Sequence, residues 1–252
     1  DKLAFLGYGT QKLEGEINKY LPDMRVMRMD ADTTRNKDSY EKILTAFSSG
    51  EADVLVGTQM IVKGHDFSNV TLVGILAADL SLNTNDYRAA ERTYQLITQA
   101  SGRAGRGDKK GEVVVQTYRP MHYSITTAAN NDYKGFYEKE IAYRTLMKYP
   151  PVSDIMVLLM VCKEYDILDN MSKKAVEIIK GLEWYSDEIT IIGPANASLT
   201  KANDYYRKVL YLKSSTYNDL VKIKDVVEIW ARDSVEYKKC TMYIDFNPLN
   251  IY

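Results

Sequence analysis

The sequence predicts an α/β chain in two parts: a parallel-sheet lobe with helices on both faces, then a small α+β domain of the split βαβ kind. Three observations carry this. Short apolar runs alternate with helical patterns through the first half, a tyrosine-rich helical stretch ends at Pro150-Pro151, and the order beyond it reads β-α-β-β-α-β. The domain boundaries follow as 1–148, with a helical extension beginning near Arg119, and 149–252.

In order, residues 3–6 (Leu-Ala-Phe-Leu) read as a strand, Gly7-Tyr8-Gly9 as a turn and 10–20 as a helix. A second strand covers 25–29. A second helix, 37–47, sets Tyr40, Ile43, Leu44 and Phe47 on one face. Buried-strand runs at 54–56 and 72–77 end in polar residues, 86–100 is helical, and 112–116 closes the lobe. In parallel sheets of this kind ligands gather at the carboxyl ends of the strands. Helical patterning from 118 to 149 is stopped by the two prolines. Strands are then expected at 152–162, 189–192, 205–213 and 241–246, with helices at 171–185 and 217–231.

Composition narrows the class. Of 252 residues, 45% are hydrophobic and 27% charged, enough to bury a core. Lys plus Arg number 33 against 34 for Asp plus Glu, so nucleic-acid contact has to come from a local basic patch. The cysteines, Cys162 and Cys240, form no CxxC pair and read as reduced core residues, with a disulfide between them as the lesser alternative and no zinc site in this segment. The longest apolar run, 155–162, is strand-sized, which excludes a membrane-spanning helix. A start at Asp1-Lys2, without Met or leader, reads as a piece of a longer cytoplasmic protein.

Chemistry concentrates in Gln99-Ala100-Ser101-Gly102-Arg103-Ala104-Gly105-Arg106-Gly107, closing the helix at 86–100. Arg103 and Arg106 lie three apart on one side of a turn, and Gly102 lets the backbone approach a ligand. Arginine offers phosphate a planar, permanently charged fork. A basic helix end finished by glycine is the plainer alternative. Thr58, Gln59 and Lys63, at the end of a buried strand, suit a DNA backbone, with ordinary turn chemistry as the other reading. Gly9 and Thr10 open a helix and could cradle a DNA phosphate or form a simple tight turn, with Thr10 as N-cap. Asp32, before Thr33-Thr34, reads as capping rather than as half of a metal pair with Asp30. In the second domain, Lys201, Tyr205, Tyr206, Arg207 and Lys208 interleave cations with aromatics, as single-strand binders do and as a solvated tyrosine-rich strand also would.

The arginine-glycine string resembles motif VI of superfamily 2 helicases. Gly57-Thr58-Gln59-Met60-Ile61-Val62-Lys63-Gly64-His65-Asp66-Phe67 resembles the motif V region of the PriA family of primosomal helicases. Asp30-Ala31-Asp32-Thr33-Thr34, Arg88-Ala89-Ala90-Glu91-Arg92-Thr93, Tyr149-Pro150-Pro151, Gly193-Pro194-Ala195 and Tyr243-Ile244-Asp245 are similar to the same family, in order. The resemblance implies a RecA-like second motor lobe followed by the family's C-terminal domain. It makes Arg106 the arginine finger and Arg103 its neighbour on the phosphates of ATP with Mg2+. Gln99 helps position them, Gly64 admits the nucleotide, and Asp66 accepts a ribose hydroxyl. Implied partners are branched and single-stranded DNA, single-stranded-DNA-binding protein and primosome proteins. The implied activity is 3′-to-5′ unwinding in replication restart. Walker A and the acidic box are absent from this sequence, as is the family's cysteine-rich zinc segment, so zinc is expected only in the parent protein. A non-catalytic DNA- or protein-binding module and another superfamily 2 translocase are the competing readings.

Overall fold

The computed structural model describes residues 9–35, 37–62, 67–84, 86–105 and 110–249. The strand expected at 3–6 lies outside them. Contacts divide the chain into two compact units, Asp1–Thr84 with Arg88–Phe136, and Asn85–Tyr87 with Tyr137–Tyr252.

In the first unit, α1 (Thr10–Tyr20) leads into β1 (Val26–Met29), and α2 (Lys37–Ser48) into β2 (Val54–Gly57). β1 and β2 pair in parallel with Met29 opposite Gly57. The expected apolar face of α2 forms: Leu44 is buried with Met29 and Phe67, and Tyr40, Ile43 and Phe47 pack around them. Phe47 meets Phe67 edge-on at 5.0 Å between ring centroids. A 3-10 turn, Gln59–Val62, follows β2. β3 (Leu72–Ile75) and β4 (Glu112–Val115) form a second parallel pair.

Between β3 and β4 run a single-turn α3 (Asp79–Leu82), which the sequence pattern did not suggest, and α4 (Ala89–Ser101), which starts three residues later than expected. Tyr94 and Ile97 of α4 share a core with Ile125 and Ala128 of α5 (Tyr123–Ala129) and with Phe136, near the start of α6 (Tyr133–Met147). Asp79 ties the carboxyl ends of β3 and β4 together, accepting from the Tyr118 amide at 2.8 Å and the Thr117 hydroxyl at 3.0 Å. Burial pushes the Asp79 carboxyl up, and these two donors, with its own amide and the charge of Arg119, together hold it below its ordinary value.

The helical stretch up to Tyr149 is therefore two helices. α6 stops before the prolines, where Lys148 turns left-handed at φ 51°. Inside the second unit Arg144 pairs with Glu140 at 2.7 Å and donates to the Pro150 carbonyl at 3.0 Å. That unit continues with β5 (Asp154–Cys162), α7 (Tyr165–Lys180), β6 (Thr190–Ala202), β7 (Tyr205–Ser214), α8 (Tyr217–Asp233) and β8 (Thr241–Phe246). The sheet order is β6-β7-β5-β8, antiparallel throughout. This is the expected split βαβ arrangement with both helices on one face. Met156, Leu158 and Met160 of β5 and Leu210 and Leu212 of β7 form one core with Leu168, Met171, Ala175 and Ile179 of α7 and Leu220, Ile223 and Val227 of α8.

Several boundaries differ from expectation by one or two residues, and α7 and β6 by more, with α7 ending at Lys180 instead of 185. α7 starts at Tyr165 because Leu168, three residues before Met171, shares its buried stripe. β6 runs to Ala202 through two register shifts against β7. Among the described residues, no helix is long and apolar enough to cross a membrane.

Gly57 is the tightest point of the first unit. A Cβ there would lie 2.4 Å from the Met29 carbonyl oxygen and 2.6 Å from Ile61. Neither the ladder nor the following turn can yield cheaply. Gly57→Ala is expected to destabilise the first unit by about 2 kcal/mol, read as a lower unfolding midpoint in urea with the second unit's transition unchanged.

Candidate nucleotide and nucleic-acid interface

The parallel register sets Asp30 and Thr58 side by side, each immediately beyond the carboxyl end of its strand. Asp30 is the organiser. One carboxylate oxygen accepts from the Thr10 hydroxyl at 2.5 Å, and the other from the amides of Asp32 and Thr33, both at 3.0 Å. The Arg28 guanidinium lies 3.3 Å away. Its backbone is tied as well, its amide donating to the Thr33 hydroxyl at 2.9 Å and its carbonyl accepting from the Thr34 hydroxyl at 2.6 Å. The Thr10 hydroxyl first, then the Thr33 amide and Arg28, hold the Asp30 carboxyl down at about 2. At the other end of the same ladder Arg25 grips Asp53 with two guanidinium contacts, of 2.7 and 2.9 Å, and holds it at about 2 too.

Two expectations change here. Capping at the end of β1 is done by Asp30, while Asp32 points outward to Arg35 at 2.9 Å. The N-cap of α1 is Gly9, and Thr10 is the first helical residue with its hydroxyl committed to Asp30. Gly9 itself has an ordinary extended conformation, and among the described residues nothing stands within 4 Å of where a Cβ would lie.

Gly9, Thr10, Thr58 and Gln59 thus come together at the carboxyl ends of β1 and β2, with Gly9, Thr58 and Gln59 exposed. A second group sits at the end of α4, which packs against the 3-10 turn that Gln59 opens. There Gln99 and Gly102 are exposed and Arg103 is partly buried. Gly102 closes the helix in right-handed geometry, its amide donating to Thr98 at 3.0 Å.

The demanding glycines lie further on. Gly105 is left-handed at φ 72° and donates to the Val70 carbonyl at 3.0 Å. A Cβ on Gly111 would lie 2.4 Å from the backbone of Ala104 and Gly105. Nothing in the sequence reading marked Gly111; its signal is position, just before a strand and facing the arginine-bearing turn. Lys63, Gly64, Asp66, His65 and Arg106 lie outside the described residues. Among the described residues no three His, Cys, Asp or Glu gather as a metal site.

The mixed cationic and aromatic stretch of the second unit is partly used internally. Lys208 is buried on the helix-covered face, paired with Asp169 and lying over the Tyr165 ring. It is not presented to solvent as a phosphate contact. Lys201 lies 5.0 Å from the Tyr206 ring centre and 3.4 Å from Asp204, and Lys163 lies over Tyr205 at 5.2 Å.

Residues 5–108 match the family model of the helicase conserved C-terminal domain. The replication restart protein PriA of Bacillus subtilis (strain 168) is 41% identical over 249 residues, covering 98% of this chain and 31% of that protein. The chain matches the C-terminal part of PriA. PriA of a Synechocystis species is 38% identical over 99% of this chain and 29% of its own length, and PriA of Chlamydia muridarum 40% over 99% and 32%. The chain therefore spans about a third of the length of the PriA proteins it matches.

The Asp30 carboxyl is lower in the fold than in the unfolded chain, so its stabilisation is present above about pH 4 and lost as pH falls toward about 2. Asp30→Asn is expected to cost about 1–2 kcal/mol at neutral pH and to flatten the acid dependence of the first unit. Circular-dichroism melts from neutral to acid pH check it. Asp53 titrates in the same window, so part of the slope remains.

Proposed function

We propose that this chain is the second motor lobe and C-terminal domain of an ATP-dependent 3′-to-5′ DNA helicase of replication restart and primosome assembly. The PriA and helicase-domain matches support a replication restart helicase fragment. The observation that carries the finer reading is the turn after α4: Gln99, Gly102 and Arg103 stand at a helix end whose following backbone is threaded closely between Val70 and Gly111. A permanent cation on a backbone fixed this tightly suits stabilisation of charge on a transferring phosphoryl group, which depends on preorganised donors.

In this reading Arg106 is the arginine finger and Arg103 its neighbour, with Gln99 and Gly102 beside them and Gly64 and Asp66 on the sugar and phosphate side. The donors fit half of a site for ATP with Mg2+: guanidinium and amide groups for phosphate oxygens, and no lysine-bearing phosphate loop or acidic box in the sequence. Bound nucleotide supplies the phosphoryl group. The residues of this chain bind it and hold positive charge against it. Zinc belongs to the parent protein, outside this segment.

The DNA track in this proposal runs over Thr58, Gln59 and Lys63 and the start of α1 at Gly9 and Thr10. With the Thr10 hydroxyl committed to Asp30, the α1 start offers a phosphate its backbone amides. Branched and single-stranded DNA, single-stranded-DNA-binding protein and primosome proteins are the proposed partners, in the cytoplasm and without a membrane role.

The purified chain is expected to show no DNA-stimulated ATPase. In a longer chain that supplies the facing lobe, Arg106→Ala is expected to lower ATP turnover by about 10³-fold or more with DNA binding nearly unchanged. Hydrolysis at the normal rate would instead favour a non-catalytic binding module. Gly9→Ala fits without a clash, so it is expected to leave the melting midpoint nearly unchanged while weakening DNA binding by fluorescence anisotropy; unchanged affinity removes the α1 start from the DNA track.

A further inference from the structure

The two cysteines, far apart in sequence, meet at one end of the second unit's sheet. β5 and β8 are antiparallel neighbours with Val161 opposite Thr241. The next step of that register sets Cys162, the last residue of β5, opposite Cys240, immediately before β8. The Cys240 amide donates back to the Tyr237 carbonyl at 2.8 Å instead of across the strands. The cysteines therefore face each other at a non-hydrogen-bonded position, where opposed Cα atoms approach to about 4.5 Å. A disulfide spans Cα separations of about 4.4–6.8 Å. The Cys162 sulfur reaches the Lys239 carbonyl at 3.7 Å. Both are free. Cys162 is fully buried, whereas Cys240 is half-buried at the end of a turn whose Val235, Glu236, Lys238 and Lys239 are exposed.

We propose that Cys162 and Cys240 form a dithiol site that takes a small organic disulfide and closes to an internal bridge between β5 and β8. Cys240, the sulfur nearer solvent, attacks one sulfur of the reagent as thiolate, forming a mixed disulfide and releasing one thiol. Cys162 then attacks the Cys240 sulfur and displaces the second thiol. The two cysteines lose two electrons and two protons in all, and the reagent leaves as two thiols. Burial first, then the neighbouring Cys162 side chain, pushes the Cys240 thiol up to about 12. The exchange is therefore slow at neutral pH and speeds up as pH rises. The bridge pins the last strand of the chain, an edge of the sheet, to its most buried strand.

Incubating the folded chain with oxidised glutathione at mildly alkaline pH, followed by intact mass and thiol titration, tests this. The expected product is a monomer with no titratable thiol and a mass lower by two hydrogens. Its second unit should melt several degrees higher, and dithiothreitol should reverse both changes. Cys162→Ser is expected to trap a single glutathione adduct at Cys240. Two thiols that survive in the folded chain but react once it is denatured would overturn the proposal. So would a lasting mixed disulfide in the wild-type chain or a cross-linked dimer. If Cys162→Ser does not fold, the wild-type mass decides alone.

Discussion

Asp30 is where the first unit is held together. A parallel ladder of four residue pairs is too short to fix its own surroundings. At its carboxyl end one carboxylate joins three segments: the first residue of α1 through Thr10, the strand through Arg28, and the turn toward α2 through Asp32 and Thr33. At the amino end Arg25 and Asp53 do the simpler job of clamping β1 to β2. The exposed Thr58 and Gln59 inherit their position from this arrangement, because Gly57 is pressed between Met29 and Ile61. In the proposed role as part of a DNA track, this surface gains from being pinned by directional bonds.

The second unit is stabilised differently. Its centre is β5, buried along nearly its whole length, with Met156, Leu158 and Met160 under the two helices and Leu159 packed with Val209 and Ala197 on the other face. Stability there is spread over many apolar contacts, each replaceable by another of similar volume. Where a lysine is buried, a neighbouring helix supplies its partner, the Asp169 carboxylate for Lys208 and the Met147 carbonyl for Lys213. One chain thus carries a unit in which polar pins supplement two small apolar cores and a unit fixed by one larger core.

Most elements were legible because their patterns were local. α1 and β8 span the residues their periodicity marked, and the α2 face formed as read. The early turn of α7 escaped notice because only the adjacent Ile167 and Leu168 in it face the core, among charged and polar neighbours. The far half of β6 escaped because its pairing comes from β7 across two slips, with no alternation of its own. At the candidate site, the Gln99-to-Gly105 string announced itself by residue type. The roles of Asp30, Asp79 and Gly111 did not, since each depends on a partner distant in sequence or on an empty volume. Whether Thr10 caps a helix or binds a carboxylate is a choice made by the strand that arrives beside it.

β6 has one more consequence. It is the far edge of the sheet, thirteen residues long, and an edge of that length would ordinarily recruit a strand from another molecule. Pro194 removes a donor there, and the slips between Ile192 and Ala195 and between Asn196 and Lys201 break the spacing of the rest. A second chain meeting that edge finds no run of evenly spaced groups to pair with. The irregularity works against strand pairing with a second chain along the longest strand of the described residues.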